Sequence, residues 1–128
     1  MLIYVWIAIG GALGTLGRYA LSTFAAHQFG ETFPWGTLII NVTGSFVIGF
    51  FATLTDPDGA LLVRPEFRSF FMVGICGGYT TFSSYSLQTL RLVQGGEWLY
   101  AGGNIIASNL SCLIAVWIGH VCAKLLRR

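Results

Sequence analysis

The chain has 128 residues, of which 55% are hydrophobic and 9% are charged, and its formal net charge is +2 at pH 7. A soluble domain is roughly a quarter charged, so this chain has too few charges to cover a globular surface in water. A net charge of +2 is also too small to attract a nucleic acid. The composition therefore argues against a soluble enzyme, a disordered tail and a nucleic-acid-binding protein, and favours an integral membrane protein.

The position of the charges predicts the membrane spans. Asp, Glu, Lys and Arg are absent from residues 1–17, 32–55, 69–90 and 98–123. Apolar stretches of about twenty residues match the hydrocarbon core of a bilayer, roughly 30 Å thick, at about 1.5 Å of helix rise per residue. We therefore predict an all-α membrane protein, a single four-helix transmembrane domain over residues 1–128, with spans at about residues 2–24, 35–54, 67–93 and 98–126.

Turn residues mark the connections between these spans. Pro34 is placed to begin the second helix, since its missing N–H is harmless at a first helical position. The sequence Thr-Asp-Pro-Asp-Gly at 55–59 ends that helix, and Gln-Gly-Gly-Glu at 94–97 separates the third span from the fourth. The third span contains Gly-Gly-Tyr-Thr-Thr at 77–81, a poor helix sequence at membrane depth. We therefore predict that the third helix is broken.

The basic residues are divided unequally between the two sides of the membrane. The side that holds both termini carries five basic residues. The other side carries two, which are Arg91 and a snorkelling Arg18. This bias predicts cytoplasmic termini by the positive-inside rule. The five are Arg64, Arg68, Lys124, Arg127 and Arg128.

No carboxylate lies inside a predicted span, and the five acidic residues all fall in connections. This argues against a proton-coupled transporter, which needs an intramembrane Asp or Glu. His27 and His120 lie near span ends, so we expect no catalytic histidine. The three cysteines are irregularly spaced within apolar runs, which predicts buried small side chains rather than a disulfide framework or a metal site. They are Cys76, Cys112 and Cys122.

Neutral polar residues recur at helical spacing within the spans. Thr37, Asn41 and Ser45 lie four residues apart on the second span, as Asn104, Ser108 and Cys112 do on the fourth. Such groups commonly hold transmembrane helices together. Acid-free polar faces on several helices also suit a path for a small anion, which would find hydrogen-bond donors in place of water. Small residues at Gly10 and Gly14, and at Ser45 and Gly49, predict close helix packing.

The segment Gly-Gly-Tyr-Thr-Thr-Phe-Ser-Ser-Tyr-Ser at 77–86 is the strongest functional candidate. Unwound backbone at membrane depth must be buried or line a wet cavity, where its carbonyls can bind a cation and an adjoining helix N-terminus can attract an anion. Phe82 and Tyr85 stand on one face of the resuming helix, where their positive ring edges could meet an anion or simply pack in a core. Arg18 either snorkels to an interface or attracts anions to a vestibule.

These residues resemble the Fluc (CrcB) family of fluoride channels. The similarity lies in the 77–86 motif, in Gly-Thr-Leu-Ile-Ile-Asn at 36–41 and in Gly-Gly-x-x-Gly-x-x-x-Arg at 10–18. It implies an antiparallel, dual-topology homodimer with two pores that export fluoride passively across a bacterial inner membrane. It also implies a structural sodium ion at the dimer interface, held by the carbonyls of Gly77 and Thr80.

By this resemblance, Phe82 and Tyr85 take the places of two pore phenylalanines and Asn41 that of a pore asparagine. The remaining pore candidates are Ser83, Ser84, Ser108 and Cys112, with Arg18 in the vestibule. The chain departs from the family pattern at Tyr85, where Phe is usual, at Gln88, where Glu is common, and at Cys112, where Ser is common. The alternatives to a fluoride channel are a small proton-coupled transporter and a structural subunit whose polar faces only hold helices together.

Overall fold

The protein was analysed as a computed structural model that describes residues 1–126. Arg127 and Arg128, two of the five basic residues in the topology prediction, lie outside the described residues. All regular structure in the described part is helical. Its elements are α1 (Leu2–Phe29), α2 (Trp35–Leu54), α3 (Pro65–Ser69), a π-helical segment (Phe70–Cys76), α4 (Gly77–Tyr79), α5 (Phe82–Gln94) and α6 (Trp98–Leu125).

Three helices, α1, α2 and α6, are long and apolar enough to cross a membrane. They correspond to the first, second and fourth predicted spans. In the third region, α3, the π-helical segment and α4 follow one another without interruption, and we call them together the 65–79 helix. The chain then opens at Thr80 and Thr81 before α5 begins, so the predicted break in this region is confirmed.

The first helix is longer than the sequence predicts, since α1 continues to Phe29 rather than Phe24. It ends at Gly30, whose φ of 78° favours glycine. The Gly30 amide donates to the carbonyl of Ala26 at 2.9 Å, which closes the last turn.

The buried residues are mostly small, and the large apolar side chains point outward. Ala25, Ala101 and Ala123 are almost fully buried, whereas Leu99 is 88% and Leu113 is 67% exposed. In water, so much exposed apolar surface would be unfavourable. In a bilayer it is not, because lipid tails are as apolar as leucine. The distribution is that of a protein whose solvent is the bilayer.

Glycines allow the helix pairs to approach closely. Along α1, a Cβ atom at Gly10 would lie 2.5 Å from the carbonyl oxygen of Phe70, and one at Gly14 would overlap the carbonyl of Ile75. The prediction of close packing at these two glycines is therefore confirmed, and their partner is the 65–79 helix. The second pair is formed by α2 and α6, where a Cβ at Gly49 would overlap the carbonyl of Val116.

Gly119→Ala is expected to lower the free energy of unfolding by about 1–3 kcal/mol, because a new methyl group would overpack the α2–α6 contact. Its Cβ would overlap the Phe46 carbonyl and lie 2.9 Å from the Phe50 amide nitrogen. Gly102→Ala on the same helix is the control, since a Cβ there meets nothing within 4 Å. Thermal unfolding in detergent checks both variants, and equal stability of the two would contradict the close approach.

At the end of α2, side chains tie the helix to its neighbours. Arg68 donates from Nε to Thr55 Oγ1 at 3.0 Å and from Nη2 to Asp56 Oδ1 at 3.1 Å. His120 on α6 contacts Thr53 Oγ1 through Nδ1 at 2.7 Å. His120 thus lies in a packed helix contact, as the sequence indicates.

Candidate functional site

The break after the 65–79 helix is made by two threonines in extended conformation. Thr80 has φ −83° and ψ 157°, and Thr81 has φ −151° and ψ 118°. Thr80 Oγ1 donates to the Cys76 carbonyl at 2.9 Å, and Thr81 Oγ1 accepts from the Ser84 amide at 3.1 Å. One threonine therefore satisfies the end of the upstream helix, and the other caps the start of α5. The helix opens at the threonines rather than at the adjacent glycines.

The glycines of the motif instead allow close contact with α1. A Cβ at Gly78 would lie 2.6 Å from the carbonyl oxygen of Gly11. The Gly78 carbonyl accepts from Arg18 Nε at 3.2 Å and from Thr15 Oγ1 at 3.5 Å. The α1 helix therefore holds the upstream side of the break through both backbone contact and side-chain hydrogen bonds.

Asn41 on α2 holds the break from the other side. Its Nδ2 donates to the Thr81 carbonyl at 2.9 Å, and its Oδ1 accepts from the Thr81 amide at 2.8 Å. Both backbone groups of one residue are thus satisfied by a single amide side chain. A second α2 residue, Thr43, contacts the hydroxyl of Tyr79 at 2.8 Å.

These hydrogen bonds leave two carbonyls without the partner that a continuous helix would provide. In an α-helix, the amide of residue i bonds the carbonyl of residue i−4. The Thr81 amide, which would serve Gly77, is taken by Asn41, and the Ser84 amide, which would serve Thr80, is taken by the Thr81 hydroxyl. Carbonyl oxygens are ligands that suit hard cations, so the oxygens of Gly77 and Thr80 are chemically fit to hold one.

A cavity of about 320 Å³, which we call the central cleft, lies beside the break. Among the described residues that line it, none is acidic or basic. Seven of the ten pore, vestibule and sodium-site candidates belong to this lining: Asn41, Gly77, Thr80, Phe82, Tyr85, Ser108 and Cys112. It also includes Ser45 of the polar face on α2.

The other three candidates lie elsewhere. Ser83 and Ser84 are not part of the cleft lining, and both contact the Thr81 hydroxyl, Ser83 through its own hydroxyl at 3.3 Å. Arg18, expected at an interface or in a vestibule, donates to Gly78. The vestibule and pore roles of these residues stay predictions.

The two aromatic residues of the motif lie in different surroundings. Their ring centroids are 5.2 Å apart and the rings are inclined by 57°. Phe82 is 73% exposed at the rim of the cleft, whereas Tyr85 is 8% exposed. The Tyr85 hydroxyl accepts a hydrogen bond from Asn109 Nδ2 at 3.1 Å. Sequence reasoning missed Asn109, because it lies one residue off the four-residue spacing of Asn104, Ser108 and Cys112.

That polar line on α6 divides between the core and the cleft. Asn104 is 1% exposed and donates to Thr89 Oγ1 at 2.9 Å, so it joins α6 to α5. Ser108 donates to Asn104 Oδ1 at 3.1 Å and also lines the cleft. Asn104 therefore joins two helices, whereas its neighbour Ser108 on the same line also lines the cleft.

A second cavity, of about 460 Å³, lies where α1 ends and α2 begins, and we call it the end cavity. Thr37 lines it, one turn along α2 from Asn41 in the central cleft. Gln88 also lines it, and within the described part of the chain the buried Gln88 Oε1 has no hydrogen-bond partner. The polar face of α2 thus extends from one cavity to the other.

These features define an integral membrane protein with a broken helix and, at the break, a mainly apolar cleft that carries amide and hydroxyl groups and no acidic residue among those described. A family model described as "CrcB-like protein, Camphor Resistance (CrcB)" matches residues 5–120. The chain belongs to the CrcB family, and it is a multi-pass bacterial membrane protein.

Three curated bacterial proteins illustrate this similarity, and each is named "Fluoride-specific ion channel FluC". The protein from Opitutus terrae is 59% identical over 96% of this chain and 93% of its own length. The protein from Rhodospirillum rubrum is 58% identical over 96% of this chain and 95% of its own length. That from Paramagnetospirillum magneticum is 57% identical over the full length of both chains.

Proposed function

We propose that this protein is a fluoride channel that lets fluoride leave the bacterial cytoplasm down its electrochemical gradient, and so confers resistance to fluoride. The observation that carries the proposal is the central cleft, where the described lining residues offer amide, hydroxyl and aromatic groups and include no acidic or basic side chain. Such a lining provides donors that replace the water around a small anion. The names of the relatives supply the identity of the anion. A passive channel catalyses no chemical conversion, so the protein is not an enzyme.

The path that we propose runs along the polar face of α2. Thr37 in the end cavity, then Asn41 and Ser45 in the central cleft, are spaced by one helical turn. Opposite them stand the aromatic residues of α5 and the Ser108 and Cys112 positions of α6. In the central cleft an anion would meet neutral donors, whereas the end cavity is also lined by the charged residues Glu31, Arg91 and Glu97.

Purified protein in liposomes loaded with fluoride is expected to release fluoride when the membrane potential is short-circuited with an ionophore, and to retain chloride under the same conditions. Protein-free liposomes are the control. If the protein released fluoride only with an imposed proton gradient, a proton-coupled transporter would replace the channel. If no ion were released although the protein was folded, the polar faces would serve helix packing alone.

The functional unit that we propose is an antiparallel homodimer with two pores, inserted in both orientations in the inner membrane. This orientation follows the family resemblance rather than the five-to-two bias of basic residues, which favours cytoplasmic termini alone. In each protomer, α1, α2 and α6 cross the bilayer as the first, second and fourth spans. The 65–79 helix together with α5 forms the broken third span. The open cleft supports this assembly, because Phe82 at its rim is 73% exposed in one protomer. A second copy would cover that rim. Mass measurement in detergent tests the dimer, and accessibility of a terminal tag from both sides of the membrane tests the dual orientation.

We further propose that the carbonyl oxygens of Gly77 and Thr80 hold a structural sodium ion between the two copies. Both amides that would otherwise bond these carbonyls are engaged by side chains. When bound, the ion supplies a fixed positive charge that links the two broken helices. Exchange of sodium for a large organic cation is expected to weaken the dimer, which dilution in detergent followed by mass measurement would detect.

A further inference from the structure

Tyr85 has an unusual position for a residue in a membrane helix, since its side chain is buried and yet the residue lines the central cleft. The side chain is 8% exposed, and both Tyr85 and Asn109 line the cleft. Asn109 Nδ2 lies 3.1 Å from the Tyr85 hydroxyl oxygen and 2.8 Å from the carbonyl oxygen of Ile105.

The Ile105 carbonyl determines which way the Asn109 amide faces. A carbonyl accepts hydrogen bonds only, so the atom beside it must be the NH₂ group and not the amide oxygen. The same nitrogen reaches Tyr85, and an amide nitrogen donates but does not accept. The Tyr85 oxygen is therefore the acceptor in this contact, and the two hydrogens of Asn109 Nδ2 are both used.

It follows that the proton of the Tyr85 hydroxyl is not used in this contact. Within residues 1–126, the structure describes no acceptor for it. A hydroxyl that already accepts a hydrogen bond is polarised and becomes a better donor. Tyr85, a lining residue of the cleft, thus has a hydroxyl proton that is free to be donated, and its natural partner is an acceptor with negative charge.

We propose that the Tyr85 hydroxyl donates a hydrogen bond directly to the anion in the central cleft, and that Asn109 is a positioning residue that keeps the proton turned toward it. This assignment rests on the proposed fluoride channel and deepens it. A phenylalanine at position 85 would offer only the weakly positive edge of its ring. The tyrosine adds a full donor, so this chain holds fluoride more tightly than its phenylalanine variant.

The experiment measures the initial rate of fluoride efflux against fluoride concentration for the wild type, Tyr85→Phe, Asn109→Leu and the double variant. A hydrogen bond to a charged group is worth enough that its loss should raise the half-saturating fluoride concentration about tenfold. We expect this rise in Tyr85→Phe without a fall in the maximal rate. Asn109→Leu should give a similar rise, and the double variant should be no worse than Tyr85→Phe, because the two residues act through one proton.

Tyr19→Phe is the matched control, since Tyr19 is 71% exposed and lies outside the cleft lining. Thermal unfolding in detergent verifies that each variant is folded, and Asn109→Ser replaces Asn109→Leu if the latter is not. An unchanged half-saturating concentration in Tyr85→Phe, or the absence of saturation in the wild type, would overturn the hydroxyl as an anion ligand. Additive effects in the double variant would overturn the positioning role of Asn109.

The outcomes also separate this inference from the channel itself. A wild-type protein that releases no fluoride contradicts the proposed function. A wild type that releases fluoride with the same concentration dependence as Tyr85→Phe contradicts only the role of the hydroxyl.

Discussion

Replacing Asn41 with leucine is expected to abolish fluoride efflux and to lower the free energy of unfolding by about 1–3 kcal/mol, since the part-buried Thr81 amide would be left without a hydrogen-bond partner. Asn41 bonds both the amide and the carbonyl of Thr81. Leucine has a similar size but no polar atom, so it removes these bonds without opening a large cavity. Because the backbone of Thr81 is extended, its amide has no helical carbonyl to bond in place of Asn41 Oδ1.

Two further substitutions distinguish the geometry of the amide from its polarity. Asn41→Asp keeps an acceptor for the Thr81 amide but turns a second oxygen toward the Thr81 carbonyl, so it should fail to rescue efflux. Thr43→Val on the same helix removes the contact with the Tyr79 hydroxyl of a neighbouring helix, while the other contacts of Thr43 Oγ1 are with the Ile39 and Ile40 carbonyls of α2 itself. Its expected cost is about 0.5–1.5 kcal/mol, that of a single hydrogen bond.

Thermal unfolding in detergent and liposome efflux, measured on the same preparations, check this series. Wild-type stability and efflux in Asn41→Leu would mean that the break holds its shape without α2. Rescue by Asn41→Asp would mean that any polar side chain suffices at this position.

The sequence predicts that the third region breaks, because two glycines and two β-branched threonines follow one another at membrane depth. It does not predict which residue opens. The opening at Thr81 depends on Asn41, 40 residues away in the chain, and on the relative placement of α2 and α5. Local propensity indicates a weak helix. Tertiary contacts determine at which residues side-chain hydrogen bonds replace the backbone hydrogen bonds of the helix.

The same limit applies to the single charges and amides of the site. Sequence patterns offer two interpretations for Arg18, a snorkelling residue or a vestibule charge, because helical spacing says nothing of what lies across the interface. The structure has Arg18 Nε on the Gly78 carbonyl, a contact that needs Gly14 to let the helices meet. Spacing by four residues selects the face of α6 that carries Ser108 and Cys112. The cleft also contacts the adjacent face of α6, where Asn109 lies, so the spacing does not reveal Asn109.

By contrast, the polar lines on α2 and α6 were predictable, because helical periodicity alone brings Asn41 and Ser45, or Ser108 and Cys112, to one side. The central cleft includes all four. Helical periodicity therefore predicts which side chains line the central cleft. It does not predict the hydrogen bonds that orient these side chains, because those depend on how the helices pack.

Phe82→Ile is expected to reduce fluoride efflux to about a tenth of the wild-type rate or less while leaving the stability of the protomer unchanged, because it removes a positive ring edge but little packing. Phe82 is 73% exposed, so its ring projects from the protomer at the rim of the cleft. Its only described ring partner is Tyr85, at 5.2 Å between centroids. Packing within one protomer therefore does not account for an aromatic side chain at this position.

Phe24→Ile is the matched control, since Phe24 is 58% exposed on α1 and lies outside the cleft lining. Both variants exchange an exposed aromatic ring for an aliphatic side chain, so any difference in efflux reflects position. Equal efflux in the two variants would remove Phe82 from the path. A loss of efflux in Phe82→Ile accompanied by loss of the dimer would assign the ring to the contact between copies. If the dimer is retained and efflux is lost, the loss is assigned to the aromatic pair that Phe82 forms with Tyr85 in the cleft lining, because Tyr85 is the ring's one aromatic partner among the described residues.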